Sequence, residues 1–97
     1  MNIGVCRIQL RLPDSGTLKD KRQVVRSISS RVRNRFNVSI AEVEDNDLHQ
    51  HMTLGISCVS NDSRHANEVL SHVVEFIRSS RLDAELVDYE LEIIAGV

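Results

Sequence analysis

Apolar and polar residues alternate along positions 2–12. Cys6, Ile8, Leu10 and Leu12 share one parity, with Arg7, Gln9 and Arg11 on the other, the pattern of a half-buried strand. Pro13-Asp14-Ser15-Gly16 supplies turn chemistry: a fixed φ, short polar side chains and a permissive glycine. Thr17 with Asp20 three residues later has the form of a capping box, aspartate replacing the usual Glu or Gln. Leu18, Val25, Ile28, Val32 and Phe36 then recur at spacings of seven, three, four and four, which predicts a helix to about Arg35.

Residues 37–44 are rich in β-branched side chains and read as a second strand, with Asp45-Asn46-Asp47 as a hairpin turn. Residues 49–60 form a third strand whose buried face is Met52, Leu54, Ile56 and Cys58. Asn61, Asp62 and Ser63 offer N-cap chemistry for a second helix to about Arg81. Its apolar face is Ala66, Val69, Leu70, Val73, Val74 and Ile77. Residues 84–95 read as a fourth strand, with Val87, Tyr89, Leu91 and Ile93 inward and Asp88, Glu90 and Glu92 outward.

The order β-α-β-β-α-β, with one apolar stripe per helix, packs both helices on a single side of one sheet. The expected architecture is α+β: a ferredoxin-like sandwich spanning residues 1–97 as a single domain, its four-stranded antiparallel sheet in the order 4-1-3-2. Matching the apolar faces of strands 1 and 3 predicts the pairs Cys6–Cys58, Ile8–Ile56, Leu10–Leu54 and Leu12–Met52. The two thiols are then neighbours, and an apolar setting in a reducing cytosol favours two buried free cysteines over a bridge.

Composition narrows the functional classes. The aromatics are Phe36, Phe76 and Tyr89 alone, so the core must be aliphatic, and a chain of 97 residues has little interior to spare for a deep substrate cavity. No basic segment followed by a long apolar run marks a signal peptide or membrane span, which places the protein in the cytoplasm with no membrane partner. The net charge of −2 hides an asymmetry: residues 1–35 carry nine Lys/Arg against two acids, residues 36–97 three against twelve. A split of this kind points to a local anionic partner rather than a globally basic nucleic-acid binder.

Most chemical constellations are absent. There is no P-loop, dinucleotide fingerprint or G-x-S-x-G elbow. His49 with His51, and His65 with Glu68 and His72, fall short of the convergent ligands that zinc needs. Glu42 and Glu44 are expected on one solvated face of the second strand. The open sheet face should show Arg7, Gln9 and Arg11 beside His51, Thr53 and Ser57, flanked by Asp88, Glu90 and Glu92. It has no aromatic on which bases stack in sheet-type RNA readers. No cofactor, metal or catalytic residue is assigned.

The first helix stands out. Lys19, Arg22, Arg26 and Arg33 fall at offsets of 3, 7 and 14, with Lys21 and Arg35 at the border and Asp20 as the one acid. Such a stripe suits successive phosphates and gives affinity without base choice. Its cations also complement the helix C-terminus, through Arg31, Arg33 and Arg35.

The run L-K-x-K-R-x-V-V followed by R-x-R-F-N-V-S-x-A-E-V is carried by Leu18, Lys19, Lys21, Arg22, Val24, Val25, Arg33, Arg35, Phe36, Asn37, Val38, Ser39, Ala41, Glu42 and Val43. With the closing LVDYELEII, it resembles the YlxP-like family of small bacterial proteins of unknown function. The resemblance implies a ferredoxin-like fold. It also implies a gene setting, in some bacteria, among transcription, translation-initiation and ribosome-maturation genes. It carries over no catalytic residue, and it implies an aromatic near the start of strand 3 where this chain has His49.

The leading expectation is a non-enzymatic RNA- or ribosome-associated protein, using Lys19, Lys21, Arg22, Arg26, Arg33 and Arg35. The alternative is a protein-interaction module, homodimeric through the open sheet face or an edge strand. An enzyme acting on a small phosphorylated molecule has no constellation behind it.

Overall fold

The computed structural model describes residues 1–80 and 84–97. Its elements are β1 (Asn2–Arg11), α1 (Leu18–Arg35), β2 (Ser39–Glu44), β3 (His51–Ser60), α2 (Ser63–Ser79) and β4 (Glu85–Ile94). The strands form one antiparallel sheet in the order β2-β3-β1-β4, and the helices cover one face of it, giving the expected ferredoxin-like sandwich. The second helix closes at Ser79, with the Ser80 hydroxyl donating to the Ile77 carbonyl at 2.8 Å. Arg81, the predicted end, lies outside the described residues.

Both helix starts follow from their capping residues. The Thr17 hydroxyl accepts from the Asp20 amide at 3.1 Å, while the Asp20 carboxylate reaches back to the Gly16 amide at 3.1 Å. This is a capping box displaced by one residue. Asp62 caps α2 by accepting from the Arg64 amide at 2.9 Å. Between the layers, Ile8, Leu10, Leu12, Leu54 and Met52 from the sheet meet Ile28 and Val32 of α1 and Leu70, Val73 and Val74 of α2, all buried. Phe36 and Phe76 close one end edge-to-face, with ring centroids 5.7 Å apart.

Three local expectations need correction. The β1–β3 register is two residues from the predicted one: Cys6 opposes Ile56, Ile8 opposes Leu54 and Leu10 opposes Met52, while Cys58 opposes Gly4. Both registers keep every apolar side chain inward, so alternation cannot separate them. Gly4 belongs to the buried row and carries no side chain to reveal it. A Cβ there would lie 2.7 Å from Leu70 Cδ1 and 3.1 Å from Cys58 Sγ. The cysteines are both free and buried, but they are not cross-strand neighbours.

Two bulges account for the other corrections. The β2–β3 register shifts between Glu42 and Glu44, so Val43 is the extra residue and the two carboxylates point to opposite faces rather than sharing one. The β1–β4 register shifts between Gln9 and Leu10, with Leu10 opposing Leu86 and Gln9 opposing Asp88. Leu86 thereby takes the inward place expected of Val87, which is 60% exposed.

Candidate nucleic-acid interface

α1 lies with its inner stripe on the core and one flank against β2. Lys19, Arg22 and Arg26 are exposed and, among the described residues, take part in no ion pair. Arg33 continues the row, its Nη2 donating to the Ile40 carbonyl of β2 at 3.0 Å. The guanidinium is thus fixed against the sheet edge while keeping an exposed surface. Lys19 and Arg33 are fourteen positions apart in the sequence, about 21 Å along the helix axis. Arg35 turns to the other flank, its guanidinium carbon 5.2 Å from the centroid of Phe76, a cation–π contact that holds it between the helices.

Lys21 does not belong to this surface. Its side chain is 1% exposed. Its ammonium donates to the Asp45 carbonyl at 2.6 Å and the His51 carbonyl at 3.2 Å, with Glu42 Oε2 at 2.8 Å. Glu42 Oε2 makes no aligned hydrogen bond, so its contact with the ammonium is Coulombic. The expectation that Lys21 meets phosphate is therefore corrected: the ammonium is buried among these three oxygens. A sequence signal for this exists. Lys21 precedes Val25, Ile28 and Val32 by four, seven and eleven residues, which is the register of the buried stripe.

Lys21 ties α1 to both ends of the β2–β3 turn. Asp45 adopts a left-handed conformation, φ 62°, which aspartate tolerates better than most residues. Its carbonyl accepts from Lys21 and from the Leu48 amide, and its carboxylate from the buried Thr53 hydroxyl at 2.9 Å. Parity places Thr53 on the open face, as expected, but does not reveal its burial. It is buried there because Asp45 folds over it.

The pairing of Glu42 with Lys21 has an electrostatic consequence for the stripe. Glu42 is the carboxylate of β2 on the helix side, and its charge is compensated from beneath. Glu44, turned outward by the bulge, pairs with Arg7 at 3.2 Å on the open face. The anion-attracting surface of α1 is therefore left without a competing carboxylate from the adjacent strand.

Elsewhere the chemistry is sparse. Arg11 pairs with Glu85 at 3.1 Å. The open face carries no aromatic ring, since Tyr89 opposes Ile8 on the helix side, under the Arg78 guanidinium. Among the described residues no group of three or more His, Cys, Asp or Glu is placed to hold a metal ion. His49, His51, His65 and His72 are all exposed. Burial pushes the Cys6 thiol up to about 11, against the low value a reactive cysteine needs. Among the described residues, no helix is long and apolar enough to cross a membrane.

Residues 3–91 match the family described as "Protein of unknown function (DUF503)". The chain is also 39% identical over 77 residues to the "Uncharacterized protein YlxP" of Bacillus subtilis strain 168, covering 79% of this chain and 84% of that protein. Neither description names a ligand or a reaction, so the surface of α1 remains the feature from which a role can be argued.

Proposed function

Since the chain belongs to the DUF503 family of proteins of unknown function and is similar to the uncharacterized protein YlxP, its own surface is the guide to its role, and we propose a non-enzymatic RNA-associated protein that grips phosphates through α1. One observation carries this reading. Lys19, Arg22 and Arg26 occupy a single exposed helix face with no ion pair among the described residues, and Arg33 extends it, braced on the Ile40 carbonyl. A solubilising face ordinarily mixes signs.

The mode of binding follows from what the molecule lacks as well as what it shows. Cations on a rigid helix neutralise phosphates and release counterions, giving affinity that falls with salt and depends little on sequence. The open sheet face supplies no stacking platform, so single-stranded bases are not read there. The acidic outer strand, with Asp88, Glu90 and Glu92, repels nucleic acid and restricts contact to the helix side. A folded RNA such as that of a ribosomal subunit presents phosphates at the spacing a helix can follow. The setting in which this happens is the cytoplasm.

The test is sedimentation of the protein with ribosomal subunits and with isolated rRNA fragments at low and moderate salt. The Lys19→Ala, Arg22→Ala, Arg26→Ala triple variant runs in parallel. Co-migration of the parent that fades as salt rises, and that the variant lacks, supports phosphate contact. Equal binding by parent and variant overturns it.

A further inference from the structure

From the free edge of β4 we infer a docking site for an extended peptide in which Lys or Arg alternates with aliphatic residues, added to the sheet as a fifth strand. β4 ends the order β2-β3-β1-β4, so its outer edge has no partner strand among the described residues. No proline interrupts Glu85–Ile94, and beyond the bulge at Val87 the run from Asp88 to Ile94 keeps regular register with β1. Such an edge has backbone donors and acceptors ready to pair with an incoming chain.

The side chains along the edge specify the occupant. On the open face stand Asp88, Glu90 and Glu92, none within ion-pair distance of a cation among the described residues. On the helix side stand Tyr89, 42% exposed, with Leu91 and Ile93 half-buried. An added strand must therefore place cations on one face and aliphatic groups on the other. β1 already answers this pattern along the inner edge. Cys6, Ile8 and Gly4 oppose Leu91, Tyr89 and Ile93, while Arg7 opposes Glu90 and Arg11 opposes Glu85. The outer edge offers the same alternation with no strand opposite it among the described residues.

A second β4 is a poor occupant. Antiparallel self-pairing sets carboxylates beside carboxylates, and like charges in directly opposed positions destabilise a pair. A basic strand reverses the sign of that term at each position. The site is separate from α1, which packs over the sheet beside β2, at the edge opposite β4.

The test uses a short acetylated and amidated peptide in which arginine and valine strictly alternate. Its control is a permutation of the same composition with the arginines blocked at one end. Both are titrated into the full chain while amide chemical shifts and amide exchange are followed. The alternating peptide is expected to bind at least about tenfold more tightly, the factor that a few cross-strand pairs supply together. Its shifts should concentrate in β4, with exchange slowed over residues 88–94. In the Asp88→Asn, Glu92→Gln variant, whose helix-side face is unchanged, affinity should fall severalfold. The Arg22→Ala, Arg26→Ala variant should bind the peptide as the parent does, so failure here is separable from failure of RNA binding. Equal binding of the two peptides, shifts centred away from β4, or no saturable binding would each overturn the inference. So would self-association of the chain through β4.

Discussion

The Lys21 ammonium lies 2.8 Å from the Glu42 carboxylate beneath the surface of the sandwich, and it is hydrogen-bonded to two carbonyls of the β2–β3 turn. Removing one member of a buried ion pair leaves the other charge without compensation, at a cost of about 3–5 kcal/mol. Lys21→Ala should therefore lower the urea midpoint sharply, with Glu42→Gln smaller because the two carbonyl bonds survive. Replacing both by Met and Leu should recover much of the loss. If Lys21→Ala leaves the midpoint unchanged, the ammonium does not clamp α1 to the turn.

Arg22→Ala and Arg26→Ala remove only exposed side chains and should shift stability by less than about 0.5 kcal/mol each. Each should flatten the logarithmic salt dependence of RNA binding by about 0.7–0.9, alike for unrelated sequences. A loss confined to one RNA sequence would instead indicate base readout.

The two close-packed glycines should differ. A Cβ at Gly4 meets Leu70 Cδ1 at 2.7 Å, and Leu70 is fully buried with nowhere to retreat. Gly4→Ala should therefore cost about 1–3 kcal/mol. A Cβ at Gly55 meets Val43 Cγ1, also at 2.7 Å. Val43 sits on an exposed bulge and can turn aside, so Gly55→Ala should cost less than half as much. Equal thermal shifts for the two variants would contradict this.

The element order, the inward faces of β1 and β3 and the exposed row Lys19, Arg22 and Arg26 are legible in the chain, because each rests on periodicity. What escaped detection involved spacing rather than parity. Residues shifted by two positions look identical to an alternation rule, which is why Cys58 was paired with Cys6 instead of Gly4. Bulges at Val43 and Val87 break the period by one residue without any glycine to announce it. Lys21 carries two conflicting signals: its charge suits the exposed stripe, while its spacing from Val25, Ile28 and Val32 puts it on the buried side.

The Cys6 thiol gives a pH prediction. Its folded value of about 11 exceeds the ordinary 9.0 because burial disfavours the thiolate. Above pH 9 the unfolded chain releases this proton while the folded chain retains it. The stabilisation is thus complete below pH 9 and is lost as pH rises toward 11. Cys6→Ala should flatten the decline in thermal midpoint over that range. In the native protein at neutral pH, modification of Cys6 by a thiol reagent should proceed at the rate of global opening, measurable by mass spectrometry of the labelled peptide.

The bulge at Val43 also has a consequence for the whole molecule. In unbroken alternation Glu44 would join Glu42 on the helix side, and two carboxylates would compete for a single ammonium beside the cationic face of α1. The bulge turns β2 into a divider, delivering one negative charge to α1 and the other to β1. Flattening it with Val43 retained in the ladder would couple the two surfaces electrically, so that a change made for the sheet would be felt by the helix. As built, the edge strand insulates the two faces, leaving each free to change its partner without retuning the other.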